Sequence, residues 1–142
     1  MYDNILLSID LNHESSWRKA LPTALGLCKS SNAKLHVMTV VPDMGSSWVA
    51  GFFPADFEEK ALEKANAEMG DFVAKNVPGD ISARTIVANG TIYEEILETA
   101  KEIDADLIVL ASHRPEFRDY LLGPNAARVV RHAPVSVLVV RE

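Results

Sequence analysis

Short apolar runs that do not alternate with polar residues constrain this chain most. Ile5 to Ile9 is apolar except for Ser8, and Leu107 to Leu110 has no polar residue at all. A strand half-exposed to water alternates; one covered on both faces does not, and such coverage is typical of parallel sheets flanked by helices. Three further runs of strand length follow the same reading: Leu35 to Val41, closed by Pro42, then Ser82 to Ala88, then Ser136 to Val140. The fourth strand is expected over Asp106 to Leu110. Between the runs lie helical segments. Asn12 to Ser30 carries Trp17, Ala20, Leu21, Ala24, Leu25 and Cys28 at close to helical spacing. Pro22 removes one backbone bond there, so this helix either bends or restarts near Pro22. Ala55 to Lys75 is rich in Ala, Glu and Lys, Thr91 with Glu94 forms a capping-box signature before Ile92, and the last helix begins near Pro124. The order β-α-β-α-β-α-β-α-β predicts one doubly wound, five-stranded parallel sheet with helices on both faces and right-handed crossovers.

In such sheets ligands bind beyond the carboxyl ends of the strands, where the strand order reverses. With the strands ordered 3-2-1-4-5, that point lies between the first and fourth, which end at Asp10 and at Ala111–Ser112. The fourth strand feeds a loop, Ser112 His113 Arg114 Pro115, and then Gly123 Pro124 Asn125 Ala126 at a helix start. Free N–H groups and the helix dipole make that junction suited to an anion. Asp10 either accepts hydrogen bonds from a ribose hydroxyl or an adenine amino group, or caps the helix that follows. The junction at Gly123 is either a phosphate cradle, with Arg114 adding charge, or an ordinary βα loop. Asp43 to Pro54, with Trp48, Phe52 and Phe53, reads as a loop over a pocket or a patch for a partner.

Composition removes several classes. A chain of 142 residues with 48% hydrophobic content suffices for one compact domain, yet no stretch approaches the ~18 apolar residues of a membrane span, so no membrane insertion is expected. Met1 Tyr2 Asp3 Asn4 Ile5 enters an apolar run without a basic leader, which argues against a secretory signal. Cys28 is the single cysteine, so no internal disulfide forms and a reducing, cytoplasmic setting is expected. The net charge of −6 disfavours nucleic-acid partners. His13, His36, His113 and His132 show no metal-ligand spacing. No G-x-S-x-G, Walker A or G-x-G-x-x-G pattern is present, so no catalytic residue is assigned. Val135 to Val139 is apolar with a single serine and, as an edge strand, invites pairing with a second copy.

These blocks resemble the universal stress protein family over the whole chain, 1–142. The resemblance is carried by Ile5 to Asp10, by Leu35 to Pro42, and by Gly90 with Ile96 and Ala100. The C-terminal blocks are Asp104 to Val109, Leu121–Leu122–Gly123, Val129 to Ala133 and Val137 to Val140. It implies a Rossmann-like fold akin to the adenine nucleotide alpha hydrolases. It also implies a homodimeric, stress-response regulator that binds ATP, with or without Mg²⁺, and acts on an unidentified protein partner. Ser8, Ile9, Asp10 and Val40 would then hold the adenine and ribose. Ala111, Ser112, His113, Arg114, Gly123, Pro124 and Asn125 would line the phosphate path. ATP-binding members carry G-x-x-G-x₉-G-S/T; here Ala111 and Arg114 replace the first two glycines, the gap is shorter by one residue, and Pro124 replaces the hydroxyl residue. The Ala-Ser-His-Arg-Pro run with Leu-Leu-Gly looks like a variant branch. The same resemblance also admits a nucleotide-independent interaction module. Dedicated catalysis is not expected; for slow ATP hydrolysis at most, Glu116 and Asp119 are the candidates in the right loop.

Overall fold

The computed structural model describes residues 1–42, 56–112 and 123–141. The elements run β1 (Asn4–Ser8), a 3-10 turn (Glu14–Ser16), α1 (Ala20–Ser31), β2 (Lys34–Pro42), α2 (Phe57–Asn76), β3 (Ala83–Gly90), α3 (Ile92–Glu102), β4 (Leu107–Ser112), α4 (Pro124–His132) and β5 (Ser136–Arg141). The strands form one parallel sheet in the order β3-β2-β1-β4-β5. The loop 43–54, together with His113, Arg114, Glu116 and Asp119, lies outside the described residues.

Two apolar layers explain why the central strands do not alternate. Ile5, Leu7, Leu35, Val37 and Val109 pack on one face against Ala20, Leu21, Ala24 and Cys28 of α1 and Met69 and Phe72 of α2. Leu6, Met38, Ile108 and Leu110 pack on the other against Ile96 and Ala100 of α3 and Ala126 and Val129 of α4. Ile5, Leu6 and Leu7 are wholly buried although consecutive, as a strand sandwiched between helices requires.

The helix expected from Asn12 is broken. The chain makes a 3-10 turn first, and α1 begins at Ala20. Pro22 thus falls in the first turn, where its missing N–H has no intrahelical acceptor to lose. Of the two alternatives the restart holds, slightly upstream of Pro22. α1 ends at Asn32 in the left-handed conformation (φ 54°), and the Ala33 N–H bonds back to the Cys28 carbonyl at 3.1 Å. Asp104 (φ 54°) follows α3, and the Ala105 N–H reaches the Ala100 carbonyl at 2.8 Å. Short polar side chains tolerate this backbone better than most, which is why asparagine and aspartate stand at both stops. Thr91 takes the N-cap position of α3, but its side chain makes no capping bond; Glu94 instead accepts from the Tyr93 hydroxyl at 3.1 Å.

β4 starts at Leu107 rather than Asp106. The Asp106 carboxylate is used at the amino end of the sheet: Oδ2 accepts from the Asp3 N–H at 2.8 Å and Oδ1 from the Asn4 N–H at 3.0 Å. It fixes the start of β1 against the start of β4.

Candidate functional site

The site is assembled where β1 and β4 part. Their last paired rung is Leu7–Val109. Beyond it β1 leads to α1 on one face, while β4 leads to α4 on the other. Neighbouring strands lie about 4.8 Å apart, so chains leaving a shared rung towards opposite faces open a crevice between them. Asp10 and Ser112 each stand three residues past that rung. On the other side of β1, Ser8 pairs with Met38 and the Ile9 N–H donates to the Met38 carbonyl at 2.9 Å, which brings Val40 level with Asp10.

Nine of the eleven expected residues are described, and all nine belong to this end of the sheet or to the helix leaving it: Ser8, Ile9 and Asp10 on β1 and its exit, Val40 on β2, Ala111 and Ser112 on β4, and Gly123, Pro124 and Asn125 at the start of α4. His113 and Arg114 lie outside the described residues. Ile9 is buried, Asp10 and Pro124 are exposed, and the other six are half-buried.

Asp10 is held by its own loop. Its Oδ1 accepts the Asn12 N–H at 2.9 Å, an Asx turn, and its Oδ2 lies 2.8 Å from His13 Nδ1. Its backbone N–H donates to Ser16 Oγ at 2.8 Å, and that buried hydroxyl lies within 2.8 Å of the Asp10 carbonyl and 2.7 Å of the His13 carbonyl. The carboxylate remains half exposed, so it keeps accepting capacity towards the crevice. Asn12, His13 and Ser16 were not singled out from the sequence; an aspartate followed two residues later by asparagine was the available signal for the turn.

At the α4 end, helical bonding begins with the Ala127 N–H to the Gly123 carbonyl at 2.9 Å. The Asn125 and Ala126 N–H groups therefore have no intrahelical acceptor, and Pro124 at the first turn has no N–H to offer. Gly123 has φ −59°, which any residue adopts, and a Cβ there would meet nothing within 4 Å among the described residues. Among the described residues, neither backbone nor packing demands glycine here. The side chains of Ser8, Ser112 and Asn125 make no hydrogen bond among the described residues, so three polar groups stand unused at this end.

Pairing reveals one residue the sequence did not point to. Arg141 is the register partner of Ser112 and projects to the same face of the sheet as it does. Its cation belongs to the carboxyl-end rim, but only the register of β5 against β4 places it there. Among the described residues no group of three or more His, Cys, Asp or Glu is placed to hold a metal ion, and no helix is long and apolar enough to cross a membrane.

Comparison with known proteins converges on one family. The profile described as the universal stress protein family matches residues 1–141. Universal stress protein G of Salmonella typhimurium is 32% identical over 144 residues, covering 99% of this chain and 100% of that protein. A solved universal stress protein in complex with cAMP superposes with a TM-score of 0.62 at 25% identity, over 99% of this chain and 97% of that one. A universal stress family protein from Burkholderia pseudomallei superposes with a TM-score of 0.73 at 23% identity, over 98% and 96%. With the parallel 3-2-1-4-5 sheet and a full-length match in agreement, the chain belongs to the universal stress protein family.

Proposed function

We propose that this protein is an ATP-binding, homodimeric regulator of the stress response whose nucleotide occupies the crevice between β1 and β4. One observation carries the reading: unused polar groups of Ser8, Ser112 and Asn125, the Asp10 carboxylate, and an open helix start at Gly123 gather at the single point where the sheet's chain direction of winding reverses. In this reading Val40 supplies the apolar wall for adenine, Ile9, buried on the opposite face with α1 and α2, anchors the end of β1, and Asp10 accepts from the ribose hydroxyls. The Asn125 and Ala126 N–H groups, the Ser112 hydroxyl and Arg114 meet the phosphates. The solved family member holding cAMP supports an adenine nucleotide as the ligand class. Mg²⁺, where bound, would be held by the phosphates. Dimerisation is assigned to the edge strand β5, whose Val137, Leu138, Val139 and Val140 are only half-buried. The setting is taken to be cytoplasmic.

Calorimetric titration of nucleotide-stripped protein with ATP–Mg²⁺, with GTP as control, tests the pocket. Saturable micromolar binding of ATP and not GTP is expected; no saturation at millimolar ATP would overturn it. Sedimentation equilibrium tests the dimer, for which a mass that stays monomeric at high concentration is the contrary result.

Pro124 favours a second reading, a nucleotide-independent interaction module. It removes both an N–H and the hydroxyl that the family's phosphate motif places after the glycine, and a lost hydrogen bond to a charged group is worth about 1.5–3 kcal/mol. That reading predicts a partner captured equally well with and without ATP.

A further inference from the structure

Away from the crevice, α3 and α4 form a second concavity of about 390 Å³, lined by Tyr93, Ala127, Arg128, Arg131 and His132. The Arg128 guanidinium sits 5.0 Å from the centre of the Tyr93 ring. A cation–π contact of this kind restrains the guanidinium while its N–H donors stay available to a ligand. Neither Arg128 nor Arg131 has a carboxylate partner among the described residues, on a chain whose net charge is −6. Glu94, next to Tyr93, accepts from the Tyr93 hydroxyl and does not pair with Arg128. The helix dipole accounts for Arg131 and His132 in the last turn of α4, but Arg128 lies before that turn.

We infer that this concavity is a docking site for an acidic peptide segment of a partner protein, with Arg128 and Arg131 as carboxylate receptors. Two unpaired guanidinium groups, one of them already immobilised, are complementary to spaced Asp or Glu side chains. The Tyr93 ring and the Ala127 methyl, which line the same concavity, favour a peptide carrying apolar residues between its acids over a free inorganic anion. None of the five residues lining the concavity is one of those assigned to the crevice.

Fluorescence anisotropy with a labelled peptide of alternating Glu and Leu tests this directly, against the same peptide with Gln for Glu. Saturable binding is expected at low salt, weakening as salt rises, with the Gln peptide not binding. Arg128→Gln with Arg131→Gln should weaken the Glu peptide about tenfold or more while lowering the unfolding midpoint by only a few degrees, from the lost ring contact and helix-end charge. Tyr93→Leu, which keeps the charges and removes the stack, should weaken it less. No saturable binding, or equal affinity in the double variant, overturns the proposal. So does binding of a single-stranded RNA oligomer in place of the peptide, or of inorganic phosphate with equal affinity. Because the peptide titration is run without nucleotide, its failure is independent of any failure to bind ATP.

Discussion

At the amino ends of the strands, polar groups close on one another across the sheet. Asp106 accepts the Asp3 and Asn4 N–H groups, the Asp106 N–H reaches the Asn4 carbonyl at 3.0 Å, and the Lys34 N–H reaches the Asp3 carbonyl at 2.9 Å. Where β1 and β4 end, side-chain bonding is local or missing among the described residues. Asp10 is bound within its own loop, while Ser8, Ser112 and Asn125 bond nothing among the described residues. Both ends belong to the same strands and share the same two apolar layers. The difference teaches that, among the described residues, one end ties β1 to β4 and the other leaves polar side chains unused, as the proposed nucleotide crevice requires.

The comparison can be broken most sharply at Gly123. Gly123→Val puts a branched side chain where a Cβ meets nothing among the described residues, so thermal stability should hold while ATP affinity falls by about a hundredfold, read by calorimetry. A loss of stability with unchanged affinity would reverse the roles assigned to the two ends. Asp106→Ala is the mirror experiment. It strands two backbone N–H groups at a half-buried position and should lower unfolding free energy by about 2 kcal/mol in urea, with ATP affinity unaltered.

A pH titration sharpens the picture on the strand between them. His36 is 7% exposed on β2, its Nε2 has no partner among the described residues, and burial first, then Arg84 and Lys34, lowers its pKa from 6.5. The unfolded chain therefore binds the proton more readily. The stabilising contribution is full above pH 6.5 and is lost as pH falls toward the lowered folded value. Chemical denaturation at pH 7.5 and 5.5 should show this fall, and His36→Leu should flatten it. The smallest effect is expected at Cys28, which is 2% exposed and whose thiol burial pushes up to about 11. An aromatic disulfide reagent should leave it unmodified in the folded protein at neutral pH and label it only in denaturant.

Much of the fold was legible because its signals are short-range. The unalternating Ile5 to Ile9 and Leu107 to Leu110 announce strands covered on both faces, and Gly123–Pro124 announces a helix start. Where competition between local and distant partners decides, the reading slipped. Asn12 to Ser30 has the spacing of one helix, yet the buried Ser16 hydroxyl binds back to the Asp10 loop and α1 waits until Ala20. Thr91 and Glu94 have capping-box spacing, yet Glu94 is taken by the Tyr93 hydroxyl.

The sequence by itself determined the type and order of the elements, the family, and the acid and helix start that frame the crevice. Those depend on local propensity and on burial patterns that recur along the chain. Only the tertiary structure decided that Asp106 ties β1 to β4, that Arg141 stands beside Ser112, and that Arg128 lies over Tyr93. Each joins residues more than twenty positions apart, and such contacts are set by strand register and helix packing, which no short window of sequence contains.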